Sequence, residues 1–331
     1  MKRSAHAVTD AMACASPAAA LAKLPAAGAA APLAPAIDPA VLAQEIASLP
    51  ASASLMRVGE FEVLCTPAQP IPALMQEIGR LREWAFRLVG EGTGRASDLD
   101  AFDAHYEQLF VWHHSERKLL GAYRLGFTQD INQRQGVAGL YTHSLFEFDN
   151  QMLARLGPSI ELGRSFVHPQ FQGSSRALRL LWAGIAVVLE RHPQVACLFG
   201  PVSISSRYSR LGRALMLRTL QLHHMDADLH GLIRARRAPD GMPGALAQRI
   251  TEASAGLGDP KRLSRVLERI EHGMGLPMLI KHYIELRGRF AAFSVDAAFN
   301  QTLDGLVFVR VADIPPRFRT KLTAAAHKLT A

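Results

Sequence analysis

Cysteine is nearly absent. Cys14, Cys65 and Cys197 are the only three in 331 residues, widely spaced and with no CxxC pair. That excludes a disulfide framework and a cysteine zinc site, and it suits a reducing compartment. Long apolar runs are missing as well. The longest, Leu180 to Leu189, is bounded by Arg179 and Glu190 and covers about half a bilayer span, so no segment is expected to cross a membrane. No zinc-finger spacing and no aromatic RNA-binding strand motif occur, which argues against a nucleic-acid partner. The pairs His113-His114 and His223-His224 have no third ligand at regular spacing, and no metal is expected.

Positive charge, by contrast, is present in excess. The formal net charge is +8, while residues 1–50 hold Lys2, Arg3 and Lys23 against Asp10, Asp38 and Glu45 and so net zero. The whole excess therefore sits on residues 51–331, a surface suited to an anionic bilayer or an acidic carrier protein. Met1-Lys2-Arg3 begins like a signal peptide, but His6, Asp10 and Ser16 interrupt any apolar core, and a cytoplasmic protein is expected. Half of residues 11–40 are alanine with five prolines among them, a mixture with little to pack. Residues 1–50 accordingly read as a disordered tail or linker.

Beyond residue 51 the periodicities alternate. A short strand spans Gly59–Cys65, and Ile71, Leu74, Met75, Ile78, Leu81, Ala85 and Leu88 mark an amphipathic helix closed by Gly90 and Gly92. Strands at 108–113 and 119–127 flank the Ser115-Glu116-Arg117 turn, and a third strand covers 159–167. A polar loop launches a helix over 176–190, followed by a buried strand at 195–204 and a basic helical stretch over 205–224. A Gly/Pro-interrupted insertion runs from about 226 to 272, and a helix (278–286) and strands at 290–295 and 303–311 close the chain. The expected fold is α/β (α+β): a mixed, mainly antiparallel sheet with helices on both faces, forming one domain over 51–331 with a helical insertion.

The third strand, Glu161-Leu162-Gly163-Arg164-Ser165-Phe166-Val167, carries two charges in an apolar run. Strand alternation sends Glu161 and Arg164 to opposite faces unless a bulge re-aims one. Buried charges must be paired, and Arg82, Asp100, Asp103 and Arg124 are available. Such a set is either a structural ion-pair network or a site. The loop Pro169 to Arg176 contains Gly173 and Ser174 ahead of a helix start, where backbone N–H groups can meet phosphate and Arg176 can clamp it.

Taken in order, Arg82, Asp100-x-x-Asp103, Gly121-x-x-Arg124-Leu125 and Glu161-x-x-Arg164 resemble the motif series of acyl-homoserine-lactone synthases, which are built on a GNAT scaffold. Leu181-Trp182-x-Gly184-Ile185, Leu198 to Ile204, Pro277-x-Leu279-x-Lys281-x-Tyr283 and Phe293 to Leu306 are similar to the ornithine-lipid N-acyltransferases and related hemolysin-type proteins. The resemblance covers about residues 59–312 and departs at the Arg-rich stretch 234–237. It implies an acyl donor held as a phosphopantetheine thioester on acyl carrier protein, with coenzyme A as the alternative. No cofactor is permanently bound, and the acceptor is an amino acid, foremost ornithine.

On that reading Glu161 is the base and Arg164 its positioner or a clamp for substrate carboxylate. Tyr208 would protonate the departing thiolate, against a plain core or capping role. The backbone at Phe166 and Val167 would brace the oxyanion. Gly173, Ser174 and Arg176 would meet the phosphate, and Arg82, Asp100, Asp103 and Arg124 would receive the acceptor. The alternatives are another amine acceptor, glycine among them, and a non-catalytic lipid-binding protein. Arg207, Arg210, Arg213 and Arg218 read as a solvated face or a docking patch, and the segment 317–322 as a weak peripheral contact with the inner membrane. His223-x-x-x-x-Asp228 has glycerolipid-acyltransferase spacing but occurs readily by chance.

Overall fold

The apolar spacing that marks the first amphipathic helix is realised over Pro72–Leu88, with Pro72 at the first turn, where its missing N–H costs nothing. Leu74, Met75, Ile78, Leu81 and Ala85 are buried along its inner stripe. The fold comes from a computed structural model that describes residues 30–149, 151–172, 175–316 and 318. One helix precedes Pro72–Leu88, so the helices are numbered α1 (Pro39–Ala47) and α2 (Pro72–Leu88). The expectation of a structureless segment over 1–50 is corrected here. Asp38 caps α1 by accepting from Ala40 N at 2.8 Å, Leu42 and Ile46 are buried, and Glu45 accepts from the main-chain N–H groups of Ala73 and Leu74 at 2.8 Å each. Two apolar side chains and one carboxylate suffice to dock a single turn-rich helix. Residues 1–29 lie outside the described residues.

Eight strands form the main sheet, in the order β1-β2-β3-β4-β6-β7-β10-β9. They are β1 (Ser54–Val58), β2 (Phe61–Pro67), β3 (Glu107–His113), β4 (Lys118–Phe127), β6 (Ser159–Val167), β7 (Cys197–Ile204), β9 (Arg289–Asp296) and β10 (Thr302–Arg310). Every pairing is antiparallel except β6 with β7. The parallel pair needs a crossover, supplied by α5 (Ser175–Arg191), which packs on β3 and β4. A small sheet of β5 (Phe146–Phe148) and β8 (Ile233–Ala235) joins the segment after β4 to the insertion. Neither strand is apparent from periodicity, because three residues are too few to show one.

The remaining helices are α3 (Thr128–Gln135), α4 (Met152–Leu156), α6 (Arg210–His223), α7 (Gly244–Ala255), α8 (Pro260–Ile270) and α9 (Met278–Glu285). The basic stretch expected over 205–224 becomes helical only from Arg210. Ser209 caps it by accepting from Gly212 N at 3.1 Å. Helices α1 and α2 cover one face of the sheet, burying Leu64, Phe110, Trp112 and Ala122, while α5, α6, α8 and α9 bury Val63, Leu109, Val111 and Leu162 on the other.

The parallel pair is short: Ser159, Ile160 and Glu161 match Cys197, Leu198 and Phe199, and the register then ends. At that point the backbones are in tight approach. A Cβ on Gly200 would lie 2.0 Å from the Leu162 carbonyl oxygen, a backbone atom that cannot swing aside. We expect Gly200→Ala to force β6 and β7 apart and to cost about 2 kcal/mol, the scale of core overpacking. Urea unfolding checks this, and a loss below a few tenths would show that the approach is not tight.

Candidate active site

A bulge re-aims the charged strand. Arg124 faces Gly163 but Ala122 faces Phe166, so Arg164 and Ser165 together oppose Tyr123. Arg164 adopts φ +50°, the left-handed region that a residue other than glycine seldom occupies. Such a conformation costs roughly 1–3 kcal/mol and needs compensation. Two ion pairs supply it: Arg164 Nε lies 3.1 Å from Asp98 Oδ2 and Nη2 lies 3.1 Å from Asp100 Oδ2. The guanidinium is also stacked between the rings of Tyr141 (4.5 Å) and Phe299 (4.2 Å).

Behind Arg164 the expected acceptor-binding residues form a closed network. Arg82 Nη1 reaches Asp103 at 3.1 Å and donates to the Asp98 carbonyl at 3.0 Å. Arg124 Nη1 lies 2.5 Å from Asp100 and 3.4 Å from Asp103. Asp100 and Asp103 also cap each other's backbone, accepting from Phe102 N and Asp100 N at 2.9 Å. Burial alone would raise the Asp100 pKa, but Arg124, Arg164 and Arg82 outweigh it and hold the carboxyl well below the usual range. Asp98 is different: burial raises it even beside Arg164. Arg82, Asp103 and Arg124 are wholly buried. None of them, nor Asp100, lines the cleft between β6 and β7 described below, and their ion pairs bear on the bulge instead.

Glu161 is sealed in a similar way. It is 1% exposed, accepts from the Tyr106 hydroxyl and from Thr142 N at 2.7 Å, and does not line the cleft described below. Burial raises its pKa, with Tyr106 and Thr142 opposing. Its nearest route to open space is indirect. Tyr141 N donates to the Tyr106 hydroxyl oxygen at 2.9 Å, and Tyr141 itself reaches a cleft.

That cleft opens where β6 and β7 part, a cavity of about 350 Å³ bordered by Ser165 on one strand and Pro201, Val202 and Ser203 on the other. Arg164 is its cation. Its carboxylates are Glu91, Asp296 and Asp304, and its hydroxyls are those of Tyr141, Tyr208, Ser165, Ser203 and Ser205. Asp304 sits on β10 opposite Ser203 of β7 and Ser294 of β9. It is 3% exposed, and its Oδ1 has no hydrogen-bond partner among the described residues. Burial, then the neighbouring Asp296 charge, pushes it up to about 8. Asp296 accepts from the Tyr141 hydroxyl at 3.0 Å and from Ala298 N at 2.7 Å. Burial pushes Glu91 up to about 7. All three were missed in sequence, although Asp296 and Asp304 carry the signal that singled out Glu161: a charge inside an apolar strand.

Among the other expected site residues, Tyr208 does border the cavity, with its hydroxyl donating to the Gly275 carbonyl at 2.7 Å. Phe166 and Val167 lie just past Ser165, in register with Ala122 and Gly121, and do not border it. Arg176 is 5.2 Å from the Phe61 ring in a separate groove beside β2. Gly173 and Ser174 lie outside the described residues, as does the segment 317–322 apart from Phe318. Arg207 donates to the Leu88 carbonyl at 2.9 Å, whereas Arg210, Arg213 and Arg218 border a second groove of about 770 Å³ against the insertion. His223 Nε2 lies 2.9 Å from the Ser254 carbonyl and Asp228 is paired at 3.6 Å with Arg310, so those two form no joint site.

Residues 81–183, from α2 through the first turns of α5, match the family described as Acetyltransferase (GNAT) domain. The chain is 36% identical over 178 residues to a glycine N(alpha)-acyltransferase of Phocaeicola vulgatus, covering 50% of this chain and 55% of that protein. A protein of the same name from Bacteroides thetaiotaomicron is 37% identical over 171 residues, covering 48% and 51%. An L-ornithine N(alpha)-acyltransferase of Agrobacterium fabrum is 28% identical over 258 residues, covering 75% and 79%. The chain spans about half the length of the two glycine N(alpha)-acyltransferases it matches. No helix among the described residues is long and apolar enough to cross a membrane. Residues 81–183 therefore carry a GNAT acetyltransferase domain, and the chain is similar to proteins named for acylating the α-nitrogen of amino acids.

Proposed function

We propose that the chain transfers a fatty acyl group from a phosphopantetheine thioester to the α-amine of an amino acid, within the cleft between β6 and β7. The observation that carries this is Asp304: a buried carboxyl raised to about 8, facing a cavity that opens at the end of a parallel strand pair. Ornithine is the acceptor favoured here, because the ornithine-named relative is matched over more of its length than the glycine-named ones. Acyl carrier protein is the donor favoured here, because the net +8 chain complements an acidic partner protein; coenzyme A, itself anionic, is the alternative. The product would be a lyso-aminolipid.

The chemistry follows from what borders the cleft. An ammonium is no nucleophile, so the ionised Asp304 first takes one of its protons; a base with a pKa near the working pH is the most effective one. The freed nitrogen then attacks the thioester carbon. Past Glu161 the pairing of β6 with β7 ends, and on this reading backbone N–H groups of β6 beside Ser165 receive the oxyanion. When the tetrahedral intermediate collapses, the C–S bond breaks and the second nitrogen proton passes to the thiolate. Tyr208 borders the path but is engaged with Gly275, so it relays that proton only after releasing this contact. Arg164, held rigid by Asp98 and Asp100, presents its guanidinium to the acceptor carboxylate.

Asp304→Asn should lower kcat/KM at least about a hundredfold for N-acylornithine formation from 3-hydroxyacyl carrier protein, as removal of a general base does. Glu161→Gln should cost less than about tenfold, since that carboxyl touches no substrate. Mass spectrometry of the product separates the two, and an inactive Glu161→Gln beside an active Asp304→Asn would return the base to Glu161.

Stability supplies an independent readout. A carboxyl whose folded pKa exceeds its unfolded value of about 3.9 binds its proton more tightly in the native state. Its contribution is therefore full below about pH 4 and is lost as pH rises through about 8. Unfolding free energy should fall across that window, and Asp304→Asn should flatten the fall. An unchanged slope would place a normal carboxyl at 304.

A further inference from the structure

The cavity holds more acidic groups than a simple amino acid can use. Glu91, Asp296 and Asp304 face it, against the single cation Arg164, which already pairs with Asp98 and Asp100. Two of the three carboxylates have protein partners: Asp296 accepts from Tyr141 and Ala298, and Asp304 is hydrogen-bonded by Ser203 and sees the charge of Arg164. Glu91 has neither. Among the described residues no arginine, lysine or histidine is within ion-pairing distance of its carboxyl, and no side chain or backbone N–H donates to it. Its backbone is fixed, with its N–H donating to the Phe86 carbonyl at 2.8 Å. The side chain stands on the cavity wall with Val89 and Phe86, close enough for its charge to raise both Asp304 and Tyr208.

Glu91 is half-buried on the cavity wall, and a carboxylate that is partly desolvated and unpaired gains most from a cation arriving from outside. Glycine or another monoamino acid brings one ammonium and one carboxylate, which Asp304 and Arg164 satisfy, and it leaves Glu91 bare. An acceptor with a second ammonium on its side chain matches the full set. Resting on the acyl-transfer reading above, we infer that Glu91 is the specificity determinant for the side-chain ammonium of a dibasic α-amino acid. It selects the ornithine and lysine class over glycine without touching the nitrogen that is acylated. Asp304 takes the α-ammonium proton, Arg164 holds the carboxylate, and Glu91 fixes the far end of the side chain.

The test is calorimetric binding to the full chain at pH 8, free and saturated with a pantetheine thioether, using L-ornithine and L-norvaline, which differ only in the terminal amine. In the unmodified protein ornithine should bind at least about tenfold tighter than norvaline. Glu91→Gln should bring the two within about twofold by weakening ornithine alone, and Glu91→Asp should give an intermediate ratio. Thermal unfolding of both variants should match that of the parent. An ornithine-to-norvaline ratio unchanged in Glu91→Gln, equal affinities in the parent, or no ornithine binding in either form would overturn the assignment. A ratio that depends on Glu91 without any N-acylornithine being formed from acyl thioester would leave this inference standing and remove the acyl-transfer reading. Efficient acylation with no such ratio would do the reverse.

Discussion

Everything at the centre of this molecule rests on matching six charges between α2, the loop that follows it, and strands β4 and β6. Arg82, Arg124 and Arg164 meet Asp98, Asp100 and Asp103 in a network in which Arg82, Arg124, Asp98 and Asp103 are wholly withdrawn from water and Arg164 and Asp100 partly so. No single member could remain there alone, since breaking a buried pair costs several kcal/mol. Matching them ties α2, the loop around Asp100, β4 and β6 to one another. It also offsets the left-handed backbone at Arg164, so the bulge in β6 and the parting of β6 from β7 are consequences of the same network.

Partnership then separates scaffold from chemistry more reliably than burial. Glu161 and Asp304 are equally hidden carboxyls on neighbouring parts of the sheet, and burial raises both. Glu161 has both oxygens engaged by Tyr106 and Thr142, while Asp304 leaves Oδ1 without a partner and faces open volume. On the proposed reading the first is a strut and the second exchanges a proton. The reciprocal capping of Asp100 and Asp103 makes the same point. A carboxylate pair three residues apart in a polar loop has the spacing of a binding motif, but here its lone pairs are consumed by backbone N–H groups and arginines.

Much of the sheet was legible from alternation. The strands around Val63, Val111, Ala122, Leu162 and Val202, and the helix stripe from Leu74 to Ala85, fall where their periods place them. The bulge at Arg164 could be anticipated as a condition, because Glu161 and Arg164 otherwise point apart, but alternation alone cannot decide whether a bulge occurs. Helix α1 was missed because Leu42 and Ile46 are isolated among alanines and prolines, and its docking depends on Glu45 meeting the start of α2. The cleft residues were missed for a related reason. Asp304 and Glu91 stand more than two hundred residues apart in the chain, and only the closing of β10 onto β7 brings them to one cavity. Distance along the chain hides such a pairing from any local pattern.

The central claim is that the acyl donor enters between β6 and β7 and is attacked from the Asp304 side. A crystal structure with a non-hydrolysable acyl-pantetheine thioether and ornithine tests it most directly. The account predicts the carbonyl mimic between Ser165 and Pro201, with the α-nitrogen within hydrogen-bonding reach of Asp304 and Glu161 still sealed by Tyr106. A ligand seated instead in the arginine groove along α6, with the cleft between the strands unfilled, would contradict it.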